Sequence, residues 1–480
     1  MPIPVLSVSE MRRWEANTWA TGQTEAFVID RVGEAVASHL LRITRPDARI
    51  LILAGRGNNG ADARAAARHL EPFREIISLD VDAPKRAQGL VKKALLTLQP
   101  GRDWIVDGLF GTGLNRPLDQ SWRKLIETIN RSDTSIAAID VPSGLNADMG
   151  EAWGAAIRAT LTLTVGAPKV GLLTTAAADR VGRLEVLNDV GLTGTFPKIK
   201  STMEWVMAED FTNFPPRRPV ASHKGTYGHL VIIAGSLGYH GAAVLAARGA
   251  ERARPGLVTV VTDQTVYIAV ASQLQAAMVH PWSDGWSLPK SSTAIVAGPG
   301  LASATLAPGL RKQVIQWWTS SPLPMLVDAS ALSWLPQGGV KSAALRVITP
   351  HPGEAARLLG LSTARVQSDR PSTVRALSRR FGGCLVVLKG HQSLIGQRSG
   401  ALLVNSSGNP GLAQGGSGDL LAGYLGGLLA QPQLQIDPTR TVASGVWRHG
   451  AAADLLDSRG PAWTIDDLSV ALGGQGGVSG

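Results

Sequence analysis

The chain has 480 residues, of which 44% are hydrophobic and 18% are charged. At roughly 100–200 residues per domain, this length predicts two to four globular domains with ample material for their cores. The single cysteine, Cys384, excludes an internal disulfide framework and favours a reducing, cytoplasmic setting. No apolar run reaches about 18 residues, and the start lacks the basic and apolar regions of a signal peptide, so we expect neither a membrane partner nor secretion.

The net charge of +10 is unevenly distributed. Residues 1–210 contain 25 basic and 25 acidic side chains, whereas the remainder contains 22 basic and 12 acidic ones. A basic domain indicates an anionic partner, either a nucleic acid or a phosphorylated small molecule. Because the chain has no run of five lysines or arginines and no recognisable nucleic-acid-binding motif, we expect small phosphorylated ligands and no nucleic acid.

Short apolar runs alternate with helical stretches in the first half of the chain. Runs that end in glycine or aspartate predict buried strands at residues 49–55, 103–110, 135–144 and 159–166. The stretches ADARAAARHL and QSWRKLIETIN between them are typical of helices. This alternation predicts a Rossmann-like, three-layer α/β/α domain with a parallel sheet. Ligands of such folds bind beyond the carboxyl ends of the strands.

Polar or glycine-rich loops follow three of these strands. Asn58, Asn59 and Gly60 lie where backbone N–H groups at a helix start can face an anion. Asp107 ends the next strand, and Ser143 follows the third. Taken alone, the first loop is explained equally well as a plain turn between a strand and a helix.

The three motifs AGRGNNGADAR, VDGLFGTGL and AIDVPSG resemble, in this order, those of the NAD(P)H-hydrate epimerase family over about residues 5–205. The resemblance implies a potassium ion held by Asn59, Asp107 and Ser143, in agreement with the preference of hard cations for oxygen ligands. It also implies that Asp140 is the catalytic acid or base. The residues implied to bind the hydrated dinucleotide are Asn58, Asn59, Gly60, Ala61, Asp62, Gly111, Thr112, Gly113, Leu114, Asn115, Arg116 and Asp140.

The first half departs from the epimerase pattern at two places. The family's G-G-D-G reads G-A-D-A here, so that Ala61 and Ala63 add methyl groups to a loop that the ligand should approach closely. Ile29 and Asp30 replace the more usual methionine and glutamate. Lys169 is a second acid/base candidate, and the alternative is a surface lysine that extends its ammonium group into solvent.

Residues 201–222 separate the two halves. Prolines and arginines in this segment interrupt any periodic pattern. We place the linker at roughly residues 205–220, which gives an epimerase domain at 1–212 and a second domain at 213–480.

The second half repeats the alternation of strands and helices over a longer stretch. Strand-like runs are GHLVIIAGS, LVTVVTD, TAIVAGPG, PMLVDAS, LRVITPHPGE and CLVVLKG, and GAAVLAARGAERAR and LLAGYLGGLLAQ are typical of helices. The pattern predicts a second, larger α/β domain.

The sequence GGSGD at residues 415–419 runs directly into an apolar helix. Its glycines leave backbone N–H groups unobstructed at the positive end of that helix, where a transferring phosphoryl group can bind. Asp419 would lie in the first turn, close to an attacking hydroxyl. The alternative is an ordinary helix start with a first-turn aspartate.

GSGD near the end of an α/β domain is typical of ribokinase-like folds. The longer stretch NSSGNPGLAQGGSGD resembles the ADP-dependent NAD(P)H-hydrate dehydratase family more narrowly. Four further segments, at residues 223–250, 297–302, 348–360 and 386–395, match that family in the same order. The resemblance covers about residues 220–475, and the epimerase and dehydratase families occur fused in one chain.

This resemblance assigns residues to substrate, nucleotide and metal. Ala242, Gly300, His351 and Asp419 should contact the nicotinamide hydrate, with Asp419 as the base. The AMP part of ADP should be held by Lys389, Gly390, His391, Gln392, Ser393 and Gly418. Glu354 should act on a magnesium ion through water. The HPG sequence is also a good turn, and Lys389 is also explained as a solvated strand end.

One further position departs from the dehydratase pattern. Asp328 matches the first aspartate of the family's D-A-D-A-L, but Ser330 replaces the second. The replacement removes one carboxylate near the phosphates and is expected to alter metal or ADP affinity.

The combined resemblance implies an enzyme that repairs hydrated NADH and NADPH. The second domain would dehydrate the S epimer while ADP is converted to AMP and phosphate, and the first would interconvert the R and S epimers. The alternatives are a ribokinase-like small-molecule kinase, and a dehydratase whose first domain is a non-catalytic binding module. We also expect a homo-oligomer.

Overall fold

A computed structural model describes residues 2–194 and 202–474 of the chain. The chain divides into two compact units between Thr202 and Met203. This division lies about ten residues before the predicted boundary at 212/213, because a strand at Met203–Val206 pairs in parallel with Leu402–Asn405 of the second unit.

A parallel sheet forms the centre of the first unit. Its strand order is β3-β2-β4-β5-β6-β7, and every neighbouring pair is parallel. The unit's strands are β1 (Ile3–Pro4), β2 (Arg49–Ala54), β3 (Glu75–Asp80), β4 (Trp104–Gly108), β5 (Ser135–Ile139), β6 (Leu161–Val165) and β7 (Arg183–Leu187).

Helices cover both faces of this sheet. Its helices are α1 (Val8–Ala20), α2 (Glu25–Ile43), α3 (Asn58–Leu70), α4 (Pro84–Leu95), α5 (Gln120–Asn130) and α6 (Ala178–Val181). Apolar residues of α2 and α3 form one core with the sheet, and those of α4 and α5 form another. The predicted three-layer α/β/α fold of this unit is therefore confirmed.

A mixed sheet forms the centre of the second unit. Its strands follow the order β8-β17-β16-β15-β14-β13-β12-β9-β10-β11. All described pairs are parallel except that β16 is antiparallel to both its neighbours. The strands are β8 (Met203–Val206), β9 (His229–Ile233), β10 (Leu257–Thr262), β11 (Met278–Pro281), β12 (Ala294–Ala297), β13 (Met325–Val327), β14 (Arg346–Ile348), β15 (Leu385–Leu388), β16 (Leu394–Gly396) and β17 (Leu402–Asn405).

Two of the second unit's helices pack unusually closely, and their contact fixes the position of a glycine-rich helix start. A Cβ on Gly423 would lie 1.8 Å from the carbonyl oxygen of Ala246, and one on Gly249 would lie 2.1 Å from that of Leu420. Only glycine permits this approach of α7 and α13. The unit's helices are α7 (His240–Ala253), α8 (Tyr267–Ala271), α9 (Pro308–Ser320), α10 (Pro352–Leu359), α11 (Thr363–Ser368), α12 (Arg370–Arg380), α13 (Ser417–Leu429), α14 (Pro438–Asp457) and α15 (Ile465–Gly474).

Strands that alternate with helices over both units confirm the predicted α/β class. Within residues 2–194 and 202–474, no helix combines the length and the apolar character that crossing a membrane requires.

Candidate functional sites

The first polar loop begins a helix almost without a connecting segment. Strand β2 ends at Ala54, and α3 starts at Asn58 with Gly57 as its N-cap and no side-chain cap. A Cβ on Gly60 would lie 1.8 Å from the carbonyl oxygen of Gly55, so this tight turn requires glycine. The first backbone N–H groups of α3 thus lie at the carboxyl end of the sheet.

The three predicted potassium ligands meet beneath this helix start. Ser143 Oγ donates to Asp107 Oδ1 at 2.6 Å, and Asn59 Nδ2 donates to the carbonyl of Phe110 at 2.9 Å. Asn59, Asp107 and Ser143 are all buried. The Asn59 Oδ1 atom, also buried, has no hydrogen-bond partner among the described residues.

Burial raises the pKa of Asp107 to about 6, although hydrogen bonds from Ser143 and from the backbone of Leu109 oppose the rise. A buried carboxylate that lacks a cationic partner and a neighbouring unpartnered amide oxygen are both stabilised by a positive charge. The donor set of carboxylate, amide, hydroxyl and carbonyl oxygens therefore fits a hard cation such as potassium.

Asp140 and Lys169 form a buried ion pair at the end of β5. Asp140 has φ of 64°, and its Oδ1 accepts hydrogen bonds from Lys169 Nζ and from the backbone N–H of Val165. Lys169 is 1% exposed and also donates to the carbonyl of Val165. The alternative of a surface lysine is therefore wrong, and the two acid/base candidates are in direct contact.

A cavity of about 560 Å³ connects these groups. Its walls include most of the residues that the resemblance assigns to the dinucleotide, namely Asn58, Asn59, Asp62, Gly111, Thr112, Gly113, Leu114, Asn115, Arg116 and Asp140, together with Lys169. Gly60 and Ala61 are not among the lining residues.

Of the four departures from the epimerase pattern, only Ile29 lines this cavity. Ala63 is buried in the core beneath α3, where its Cβ would lie 2.4 Å from a Cβ on Gly108. Asp30 faces outward and pairs with His69 at 3.2 Å, whereas Ile29 contributes to the cavity wall. Neither Ala61 nor Ala63 is among the residues that line the cavity.

Two acidic residues that sequence motifs did not reveal face the same cavity. Glu15 of α1 and Glu25 of α2 line it, and Glu25 accepts a hydrogen bond from Asn58 Nδ2 at 2.5 Å. Burial raises the pKa of Asp62 well above its usual value, and nearby Asp140, Glu15 and Glu25 raise it further. The cavity wall therefore carries four carboxyl groups together with Lys169 and three arginines, Arg12, Arg56 and Arg116.

In the second unit, the GGSGD segment forms the start of α13 as predicted. Gly416 has φ of 94° and is the N-cap of the helix. A Cβ on Gly418 would lie only 3.2 Å from Lys389 Nζ, so glycine brings the ammonium group close to the helix N-terminus. Asp419 lies in the first turn. Burial raises its pKa to about 6, with Asp328 adding to the rise and Lys389 opposing it.

Lys389 links the end of β15 to that of β13. Its Nζ donates to Asp328 Oδ1 at 2.8 Å, and this oxygen also accepts a hydrogen bond from Thr349 at 2.7 Å. The Lys389 side chain is 18% exposed, so the alternative of a solvated strand end is wrong. Burial lowers the pKa of Lys389, but the neighbouring carboxylates of Asp328, Glu354 and Asp419 outweigh this effect and raise it overall.

His351 and Glu354 cap the N-terminus of α10. His351 Nδ1 accepts from the backbone N–H of Gly353 at 3.0 Å, and Glu354 Oε2 accepts from that of His351 at 2.8 Å. The HPG sequence is thus a helix start, while the His351 side chain remains half exposed and able to contact a ligand. One Glu354 oxygen is committed to the backbone, which leaves the other for the predicted water-mediated role.

The predicted ADP loop follows β15 and is held by an arginine outside the motif. Arg370 of α12 donates to the carbonyls of His391 and, at 3.2 Å, Leu388. Gly390 and Gln392 both have positive φ. Burial lowers the pKa of Arg370 to about 10. No sequence signal pointed to Arg370, because its role depends on the packing of α12 against β15.

Ala242 and Gly300 also meet, as the resemblance implies for the substrate side. A Cβ on Gly300, which has φ of 65°, would lie 2.8 Å from the Cβ of Ala242. The carbonyl of Gly300 accepts a hydrogen bond from Ser236 Oγ at 2.6 Å. The loop after β12 is therefore fixed against the start of α7.

Comparisons with known proteins agree on both units. Residues 230–472 match the NAD(P)H-hydrate dehydratase family, and residues 25–171 match the family described as YjeF-related protein N-terminus. The bifunctional NAD(P)H-hydrate repair enzyme Nnr of Escherichia coli K12 is 37% identical over 480 residues, which cover 96% of this chain and 91% of that protein. The chain belongs to the bifunctional NAD(P)H-hydrate repair enzyme family.

Membership of the repair-enzyme family extends beyond bacteria. The bifunctional NAD(P)H-hydrate repair enzyme of Leishmania major is 32% identical, over 90% of this chain and 86% of that protein. A crystal structure of an ADP/ATP-dependent NAD(P)H-hydrate dehydratase from Bacillus subtilis is 31% identical and covers 54% of this chain and 91% of that one, with a TM-score of 0.48. The predicted family is confirmed, and it favours the dehydratase over the ribokinase-like kinase.

The candidate metal sites of this repair-enzyme family member contain few carboxylates. Among the residues described, no three histidine, cysteine, aspartate or glutamate side chains cluster as a metal site. The candidate potassium ligands Asn59, Asp107 and Ser143 include one carboxylate, which is consistent with a monovalent ion. In the second unit, a magnesium ion held through Glu354 would need phosphate oxygens and water to complete its coordination.

Proposed function

We propose that this chain repairs hydrated NADH and NADPH, with an epimerase in the first unit and an ADP-dependent dehydratase in the second. The observation that carries the proposal is the meeting of Asp419, Lys389 and the glycine-rich start of α13. This arrangement brings a base, a cation and free backbone N–H groups together at one helix N-terminus. Those three elements are what phosphoryl transfer to a hydroxyl requires.

Dehydration proceeds by activating a poor leaving group. Asp419, with a pKa of about 6, is mainly ionised at neutral pH and accepts the proton of the C6 hydroxyl. The hydroxyl oxygen attacks the β-phosphorus of ADP and AMP leaves. The ring nitrogen lone pair then expels phosphate from C6, and loss of a proton from C5 restores the ring double bond.

Charge on the transferring phosphoryl group is balanced by the surrounding residues. Lys389 and the N–H groups at the start of α13 lie on one side, and the loop from Gly390 to Ser393 would hold the AMP part. Magnesium, when bound, would neutralise phosphate charge, and Glu354 would hold it through water. His351, Ala242 and Gly300 would position the nicotinamide ring.

Epimerisation uses the buried pair in the first unit. Removal of the C6 hydroxyl proton would form a carbonyl at C6 as the C6–N1 bond breaks and its electron pair moves to the nitrogen, which is conjugated with the ring carboxamide. The nitrogen would then attack the other face of the aldehyde carbon while the proton returns to the oxygen. Asp140 would accept and return that proton, and Lys169 would hold the carboxylate in place. Potassium, held by Asn59, Asp107, Ser143 and the Phe110 carbonyl, would supply positive charge toward the anionic substrate.

A product assay tests the proposal directly. A mixture of R and S hydrates with ADP should yield NAD(P)H absorbance, AMP and phosphate in equal amounts, and both epimers should be consumed. A stable phosphorylated product would indicate the ribokinase-like kinase instead. Repair at full rate without a nucleotide would rule the ADP mechanism out.

We further propose that the chain is a cytoplasmic homo-oligomer. The single thiol, Cys384, is buried and needs no oxidising environment. Exposed apolar side chains such as Val220 and Ile436 would be covered by a second copy. Light scattering on the purified chain tests its oligomeric state, and fractionation of its host cells tests its location.

A further inference from the structure

A second cavity, of about 800 Å³, lies in the second unit beyond the carboxyl ends of β12, β13 and β14. It is bounded by the loop after β12, by a short helical turn at Ala329–Trp334 and by α10. Of the residues assigned above to substrate, nucleotide or metal, only Glu354 lines it. Its volume is that of a small-molecule site.

Three arginines from three helices line this cavity. They are Arg311 of α9, Arg357 of α10 and Arg380 of α12. Within the described part of the chain, none of these guanidinium groups forms an ion pair or a hydrogen bond, and Arg380 Nε is buried without a partner. Arg311 lies 5.9 Å from the ring centre of Trp334. Guanidinium groups without carboxylate partners favour a phosphate-bearing ligand, which they bind through paired hydrogen bonds.

The cavity has little negative charge to offset these arginines. Glu354 is the one carboxylate among its lining residues, and its Oε2 accepts the backbone N–H of His351. Ser330, which replaces the aspartate of the D-A-D-A-L motif, also lines the cavity. The serine therefore leaves the wall more cationic than an aspartate would.

The cavity walls continue from the proposed reaction centre. Leu301 follows Gly300 in the chain, Ala329 follows Asp328, and Glu354 caps the helix that begins after His351. A substrate with its nicotinamide ring beside His351 would therefore extend its other half along these walls. That other half of a dinucleotide carries the phosphates and the adenine.

We propose that this cavity binds the phosphate-bearing adenosine half of the hydrated dinucleotide through Arg311, Arg357 and Arg380. The inference rests on the proposed function, because it assumes that a dinucleotide hydrate is the substrate. The arginines would hold the phosphates, and Trp334 and Phe381 offer aromatic surface for the adenine. The remote half would thus orient the ring for reaction.

Substrate truncation tests this assignment. Arg357→Gln should lower kcat/KM for hydrated NADH about tenfold or more, mainly through KM, but should leave kcat/KM for hydrated reduced nicotinamide mononucleotide unchanged. Inhibition by ADP-ribose should weaken by a similar factor. Arg379→Gln is the matched control, since Arg379 is exposed and does not line the cavity. Equal losses for both substrates, or no loss for either, would overturn the proposal.

Charge at Ser330 provides a second, independent test. Ser330→Asp should raise the KM for hydrated NADH severalfold more than Ser330→Asn does, because the two side chains have similar size and differ in charge. The KM for ADP should stay constant in Arg357→Gln and should change less than the KM for hydrated NADH in Ser330→Asp. A rise confined to the KM for ADP would indicate that the cavity binds ADP, the phosphoryl donor, and would contradict the proposal. If the wild type turned over neither hydrated NADH nor hydrated reduced nicotinamide mononucleotide, the proposed function itself would fail, whatever the variants did.

Discussion

Lys169 donates a hydrogen bond to the carboxylate of Asp140 and is itself 1% exposed. Neither partner of a buried pair can be removed without leaving the other charge uncompensated. The two residues come from different loops, after β5 and after β6, so the pair also ties together two carboxyl ends of the sheet. This contact brings together the two acid/base candidates that we propose for epimerisation.

The first prediction concerns Asp140. With Asp140→Asn, the chain should dehydrate the S epimer of an R/S mixture and leave the R epimer to slow spontaneous interconversion. Absorbance would then rise in two phases, whereas the wild type should show one. Asn keeps the size of the side chain but leaves the buried Lys169 charge without its carboxylate partner, so the melting temperature of the variant must match that of the wild type before the loss is assigned to the missing proton acceptor. If the wild type itself stalls after the S epimer, the first unit is a binding module.

The second prediction concerns Asp419. Asp419→Asn should lower the dehydration rate by roughly 10²–10⁴-fold, because the variant lacks the base that accepts the hydroxyl proton. ADP affinity, measured by calorimetry, should change little. Asp466→Asn, on a helix outside the site, is the control and should leave the rate unchanged. Near-normal turnover of Asp419→Asn would remove this residue from the mechanism.

The third prediction is the pH dependence of dehydration. Burial raises the pKa of Asp419 to about 6, so the ionised base is lost as the pH decreases through that value. The kcat of the wild type should therefore fall on the acid side with an apparent pKa near 6. The acid limb should be missing from the residual activity of Asp419→Asn. A flat wild-type profile down to pH 5 would contradict the assignment of Asp419 as base.

The fourth prediction concerns potassium. Potassium should raise the melting temperature of the first unit's unfolding transition, because an ion that binds only the folded state stabilises it. Asn59→Leu removes the unpartnered Oδ1 and should abolish this shift, whereas Asn58→Leu should retain it. Tetramethylammonium chloride at equal concentration controls for ionic strength. A shift of equal size in wild type and Asn59→Leu would place the ion elsewhere.

The fifth prediction concerns the contact of α7 with α13. Gly423→Ala should destabilise the second unit by about 2 kcal/mol or more, because its Cβ would lie 1.8 Å from the Ala246 carbonyl oxygen. Gly241→Ala on α7 meets nothing within 4 Å and should be neutral or slightly stabilising. Urea unfolding of both variants measures the difference. Equal stability would mean that the two helices separate at little cost.

The sequence predicted the central strands well and the edge strands poorly. The apolar runs at 49–55, 103–110, 135–144 and 159–166 correspond to β2, β4, β5 and β6, because strands covered on both faces are continuously apolar. Strand β3, at the edge, has the sequence EIISLD and is partly exposed, so it lacks that signal. Strand β8 was missed because its partner β17 is about 200 residues away in the chain.

The candidate sites divide in the same way. The positions of residues within glycine-rich motifs could be predicted, because the polar side chains and backbone N–H groups of a loop at a strand end are neighbours in the sequence. Glu15, Glu25 and Arg370 were not, because their positions in the sites arise from helix packing. The sequence also could not reveal that Ala63 faces the core, since the direction of a side chain in a first helical turn depends on the sheet beneath it.

Arg370 has a consequence for how a nucleotide enters the second unit. Its guanidinium holds the carbonyls of Leu388 and His391, so the loop between them has its conformation before any ligand arrives. The entropy lost in ordering that loop is therefore part of folding rather than of binding. A nucleotide bound as proposed would meet a loop whose backbone is already held by Arg370, and the cost of ordering that loop would not diminish its affinity.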